Sequence, residues 1–135
     1  MEYTTTEFEI KFLEERIIVL KQKEDLDRIT KEGAVECVEK MMALCDMHDD
    51  PKAVLFYVKS LYIKKDAMRV FSESPNHKTA VCAGLITSSF LAKNVANMLL
   101  KMRARFIKGD DIPAQIFNTK PEAMKWVNSI LASKA

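Results

Sequence analysis

Cys45 and His48 stand three apart near the end of an apolar-periodic stretch, with Asp46, Asp49 and Asp50 beside them. Residues at i and i+3 share a helix face, so a thiolate and an imidazole there have the spacing of half a metal site. No second Cys/His pair completes it, and His77 stands alone in loop text. A buried thiol beside a solvated acidic turn is the better reading, and no metal or cofactor is expected. Thr87, Ser88 and Ser89 precede a helical pattern, where hydroxyls and free backbone N–H groups can hold a phosphate or carboxylate. Any helix needs such a cap, and no glycine-rich turn supports a nucleotide fingerprint. They stand as a candidate anion site.

Two further groups carry charge. Lys101, Arg103, Arg105 and Lys108 lie in and just past the last turn of a helical pattern, where cations complement the helix dipole. Phe106 is their single aromatic neighbour, which gives no stacking platform, so nucleic acid is not expected as a partner. Lys64, Lys65 and Asp66 open another helix. Asp66 suits the positive end of the dipole, whereas the lysines oppose it. With Lys59 and Ser60 just before them, they form a candidate docking surface for a protein partner.

The elements that position these residues follow from periodicity. EFEIKFL (7 to 13) alternates Phe8, Ile10 and Phe12 against Glu7, Glu9 and Lys11, as a half-buried strand does. A two-residue link at Glu14 and Glu15 leads to RIIVLKQ (16 to 22), its antiparallel partner. From Thr30, apolar Ala34, Val35, Val38, Met41, Met42 and Cys45 recur at helical steps until Pro51 forbids continuation. AVLFYV (53 to 58) is apolar on both faces, hence a central strand. A short helix over about 64 to 73 follows, then TAVCAGLIT (79 to 87) as another two-sided strand. Ser88 or Ser89 caps a helix with Leu91, Val95, Met98, Leu99 and Met102 in one stripe. After the KGDDIP turn (108 to 113), AQIFN (114 to 118) is the last strand. Asn118 or Thr119 caps a terminal helix with Ala123, Val127, Ile130 and Leu131 inward.

The order β-β-α-β-α-β-α-β-α predicts an α/β domain spanning 1 to 135, with a mainly parallel five-stranded sheet and one antiparallel strand. Helices of side-by-side crossovers gather on one face, so the two-sided strands need a second cover. The hairpin, a displaced helix, an apolar ligand or a second subunit would supply it. This is the case for a homodimer or a lipid-like ligand.

The chain has 135 residues, a net charge of +2, and 48% hydrophobic and 30% charged residues. That balance fits one folded domain and exerts no general pull toward polyanions. Three scattered cysteines suit reduced thiols rather than a disulfide framework. MEYTTTEFEI lacks the pattern of a secretory signal, and no apolar run is long enough for a membrane span. A cytoplasmic location is expected.

The element order, with VLFYVKSLYIKKDAMRVF (54 to 71) and AQIFNTKPEAMKWVNSIL (114 to 131), resembles the STAS-like domains, and most of all small stand-alone bacterial proteins described as STAS/SEC14-like. In regulatory STAS domains a hydrophobic residue and an Asp-Ser-Ser-Gly-like turn follow the third strand, and a serine there is phosphorylated. By that resemblance Ile63 takes the hydrophobic position and Lys64, Lys65, Asp66 and Ala67 the turn. Both serines are missing and alanine replaces the glycine, so the phospho-switch is not carried over. The resemblance implies a non-enzymatic module working through protein contacts at Lys59, Ser60, Lys64, Lys65 and Asp66. The alternative is a carrier of a small apolar or acyl ligand, in a pocket lined by Phe56, Phe90 and methionines. Neither histidine has a nucleophile or acid beside it in sequence that marks an enzyme.

Overall fold

The computed structural model describes residues 2–26, 28–59, 62–106 and 112–134. In chain order these form β1 (Glu2–Thr4), β2 (Phe8–Leu13), β3 (Ile17–Gln22), β4 (Arg28–Ile29), α1 (Lys31–Cys45), β5 (Lys52–Tyr57), β6 (Tyr62–Ile63), α2 (Lys65–Glu73), β7 (Ala80–Ile86), α3 (Phe90–Phe106), β8 (Ala114–Phe117) and α4 (Lys120–Lys134).

The main sheet has six strands in the order β1-β2-β3-β5-β7-β8, one more than the five expected. The extra strand is β1, which pairs antiparallel with β2. Its three residues are too short to show a period, and Tyr3 is held from outside the strand by the Lys40 ammonium, 5.1 Å from its ring centre. β2 is antiparallel to both β1 and β3, while β3, β5, β7 and β8 are mutually parallel. One strand therefore runs against the rest, as the hairpin predicted. Short β4 and β6 make a separate parallel pair.

The hairpin turn is longer than expected. Leu13 pairs with Ile17, leaving Glu14, Glu15 and Arg16 in the link. Glu14 and Glu15 both take left-handed backbone, with φ of 57° and 62°. That conformation costs a side-chain-bearing residue about 1–2 kcal/mol, so the pairing on either side must hold it.

Alternation on the strands splits the core in two. Phe8, Ile10, Ile18, Leu20, Phe56 and Leu85 face the layer of α1, α2 and α3. Ile17, Val19, Ala53, Leu55, Cys82 and Ile86 face the other way, where Ala123, Val127 and Leu131 of α4 cover them. α4 follows the last strand and has no neighbour to cross to, so it is free to fold back over the bare face. Burying Val127 and Leu131 there is worth roughly 1.5–3 kcal/mol each. The second cover is thus this chain's own displaced helix. The two-sided strands need no ligand or second subunit on that face, and that argument for a homodimer falls away.

Candidate functional site

The three helices of the shared layer begin at the carboxyl edge of the parallel strands; the N-termini of α1 and α3 are capped by side chains and that of α2 is not. At α1, Thr30 Oγ1 accepts the Gly33 N–H at 3.1 Å. Its own N–H and hydroxyl donate to the Glu7 carboxylate at 3.0 and 2.5 Å. Glu7, expected on an outward strand position, is instead buried, with 7% of its surface exposed. A Cβ on Gly33 would fall on that carboxyl group, so glycine is what lets the anion reach the positive end of the helix. At α3, Ser89 Oγ accepts the Ala92 N–H at 3.1 Å, the expected N-cap.

α2 is different. Its N-cap is Lys64, with extended backbone and no side-chain hydrogen bond to the helix. Lys64, Lys65 and Asp66 are all exposed. Among the described residues Asp66 Oδ1 accepts the neighbouring Ala67 N–H, at 2.7 Å. Lys59 is half-buried, and Ser60 lies outside the described residues. The candidate anion residues sit at the same edge but do not form one concave group. Ser88 is exposed, Ser89 is spent on capping, and Thr87 is 2% exposed. The Thr87 N–H donates to the Phe117 carbonyl at 2.9 Å, while its Oγ1 is buried with no hydrogen-bond partner among the described residues. In open α/β sheets ligands favour the carboxyl edge where the strand order reverses. Here β3, β5, β7 and β8 follow one direction across the sheet, with α1, α2 and α3 on one face, so no reversal opens a crevice.

The opposite, amino edge holds a cavity. About 140 Å³ of space lies between the sheet and the three-helix layer. Val54, Phe56 and Leu85 form its floor, Met41 and Phe71 its walls, and Leu99 its roof. Phe71 stands edge-on to Phe56 at 5.4 Å and to Phe8 at 6.4 Å, fixing one wall. Phe90, expected to line such a pocket, is 77% exposed on the start of α3 and takes no part.

The mouth is polar and tied down. It is formed by Ser74–His77 before β7, Ile112 before β8, and Arg103 from α3. The Arg103 guanidinium donates to the carbonyls of Phe71 and Ser74, both at 2.9 Å, and to Asn76 Oδ1 at 2.5 Å. Arg103 thus leaves the basic cluster to staple the loop, while Lys101 and Arg105 stay exposed and Lys108 lies outside the described residues.

His77 is the second anchor. Its Nδ1 accepts the Thr79 N–H at 3.1 Å and lies 2.8 Å from Thr79 Oγ1. The ring proton must then sit on Nε2, which donates to Asp46 Oδ1 at 2.7 Å. Thr79 Oγ1 also bonds the thiol of Cys45, whose pKa burial pushes up while this bond and the Lys52 charge pull it down. The order Asp46–His77–Thr79–Cys45 has the residue types of a nucleophile relay. Yet Thr79 is 6% and Cys45 1% exposed, and the net effect keeps the thiol protonated. The chain of bonds acts as a latch, fastening the end of α1 to the start of β7. Lys52 adds to it: fully buried, it donates to the carbonyls of His48 and Asp50 at 2.5 and 2.9 Å.

Cys45 and His48 do not converge. His48 stacks on Phe12 at 5.6 Å and places Nε2 3.0 Å from the Glu15 carbonyl. Among the described residues no three His, Cys, Asp or Glu side chains come together as a metal site would require. The three cysteines are buried and free. No helix among the described residues is long and apolar enough to cross a membrane.

A family model described as a domain of unknown function (DUF7793) matches residues 11–131. The chain belongs to this family. The match spans β2 from Lys11 to Leu131 of α4, and so takes in all the cavity-lining residues, while β1 and Glu7 precede it. No curated protein matches the chain.

In this DUF7793 chain, sequence reasoning places Phe71 inward on α2, as found, but missed Glu7, Lys52, the pairing of Asp46 with His77, and the role of Arg103. One signal was present: Gly33 in the first turn of a helix, where glycine is costly unless something presses on it. The others depend on long-range contacts that no local pattern carries.

Proposed function

We propose that this chain is a STAS-like, non-enzymatic binding module that holds a small apolar molecule in its amino-edge cavity. The observation that carries this reading is the cavity itself: about 140 Å³, walled by Met41, Phe56, Phe71 and Leu99. A closed cavity of about 150 Å³ lined by such side chains stays dry and takes up benzene, and this one matches it in size and lining but is half open at its mouth. The size suits a small ring or a short branched chain, and a longer acyl chain would have to extend through the mouth. Arg103 and His77 donate to protein acceptors around that mouth, so recognition rests on shape and apolar contact. The STAS-like assignment rests on element order and on the position of Ile63 and the Lys64–Ala67 turn.

Titration with benzene, followed by backbone amide NMR, tests the reading. Ala83 of β7 also lines the cavity, so saturable shifts centred on Phe56, Phe71, Ala83 and Leu99, abolished by the filling change Ala83→Leu, are expected. Shifts scattered over the surface, or unchanged in the variant, would sink it.

A second reading is favoured by one observation, the lysine at the α2 N-cap with no capping bond. A helix start without a cap forgoes roughly 1 kcal/mol, which is the pattern of a residue kept for contact. On this reading Lys59, Lys64, Lys65 and Asp66 dock a protein partner. Charge reversal at Lys64 and Lys65 would then abolish capture of that partner and leave benzene uptake unchanged.

A further inference from the structure

The outer face of α3 is unlike that of its neighbours. Phe90, Leu91 and Met98 are 77%, 54% and 52% exposed, three of the five large hydrophobic side chains that the described surface leaves bare. At 100° per residue they share the solvent-facing arc with the uncharged Asn94 and Asn97. Lys93, Lys101 and Arg105 lie in and beside the same arc, all exposed. The helix FLAKNVANMLLKMRARF contains no aspartate or glutamate. By contrast, exposed Val35 on α1 sits among Glu32, Glu36 and Glu39. α2, packed against α3, adds Lys64, Lys65 and Arg69. Its two carboxylates are partly committed, Glu73 to Arg69 at 3.5 Å and Asp66 to the Ala67 N–H.

We propose that this face docks the protein on an anionic lipid surface, with Phe90, Leu91 and Met98 entering the headgroup–acyl boundary. Lys93, Lys101 and Arg105 meet the lipid phosphates, their alkyl stems lying along the boundary, and the two asparagines sit at headgroup level. Charge selects the occupant. A second copy related by a two-fold axis would set these cations against themselves with no carboxylate on the helix to answer them. A nucleic acid would find one aromatic side chain among the described exposed residues and no stacking platform. A protein partner would itself have to bring a groove with an apolar floor and an acidic rim to receive this convex helix, two conditions that a lipid surface meets at once. Bare apolar side chains beside cations fit an interface that is apolar below and anionic above. The surface is separate from the cavity, and the inference does not rest on the ligand reading.

The test is sedimentation of the full chain with vesicles of phosphatidylcholine alone and of phosphatidylcholine with phosphatidylserine. Binding to the mixed vesicles only, weakened by salt, is expected. The double variant Phe90→Ser/Leu91→Ser should lose about tenfold or more in affinity while its melting temperature is unchanged, because both side chains are exposed. Ala83→Leu should bind vesicles as the wild type does. Failure to sediment with anionic vesicles, equal binding to neutral ones, or wild-type binding by the double variant would each overturn the proposal. So would an acidic protein that occupies the face in the absence of vesicle binding.

Discussion

At the carboxyl ends of β5 and β7 the chain shows charge to solvent: Lys64, Lys65 and Asp66 lie open, and Ser89 is spent on a cap. At the amino ends of the same strands it lines a half-open apolar cavity and fastens the rim with Arg103 and with the Asp46–His77–Thr79 latch. The difference follows from topology. Helices start at the carboxyl edge and bring N–H groups that need caps, so polar residues collect there whether or not they bind anything. Helices end at the amino edge, where the loops back to the strands decide whether the layer closes. In this chain those loops are stapled around a gap. A polar cluster at the first edge answers the needs of helix starts; the held-open apolar gap at the second is the place the proposed ligand would fill.

Four changes break or sharpen that contrast. The largest effect belongs to Gly33→Ala, which pushes a methyl group into the Glu7 carboxylate closing α1. A loss of about 3 kcal/mol is expected in urea unfolding, the upper end of the ordinary range for one substitution, because the carboxylate can move only by leaving Thr30. A neutral result would mean that the α1 end is as open as that of α2. Next is Arg103→Leu, which strips a charged donor from three acceptors at the mouth. It should cost roughly 2–3 kcal/mol. Amide exchange should speed up over 74–77 and not over 64–66, and equal acceleration at both edges would refute the staple.

Much of the frame is legible in the residue pattern alone. Phe8, Ile10 and Phe12 alternate because β2 has one solvated face, and Val54 to Val58 do not because β5 is covered on both. The α2 start at Lys65 and the cap at Ser89 follow from local rules that tertiary contacts did not override. The cavity was not legible. Its walls come from strands and helices distant in sequence, and its latch joins Asp46 to His77 across 31 positions. Phe90 misled for the same reason: an aromatic on an amphipathic helix reads as buried, and only the packed helix shows it facing outward. Glu7 misled because it sits one residue before β2, where alternation no longer decides which way a side chain points.

The smaller effects concern α2 and the thiols. Lys64→Ser installs a capping hydroxyl where none exists and should raise stability by about 0.5–1 kcal/mol. Lower stability would show that Lys64 already serves the fold. Alkaline pH should read out the thiols last. Burial raises the Cys82 pKa from 9.0 to about 11, and it raises that of Cys45 as well. Unfolded thiols lose their protons first, so the stability tied to the buried neutral thiols is intact below about pH 9 and is lost as pH rises toward 11. Melting curves flat through that window would contradict their burial.

The most direct measurement is native mass spectrometry of the protein purified from its own cells, run beside Ala83→Leu and repeated after denaturation. A small organic mass on the wild type, absent from the variant and released on denaturation, is the predicted result. A ligand-free wild type, or a bound mass that the filled cavity does not remove, would contradict the assignment of the amino-edge cavity as the binding site.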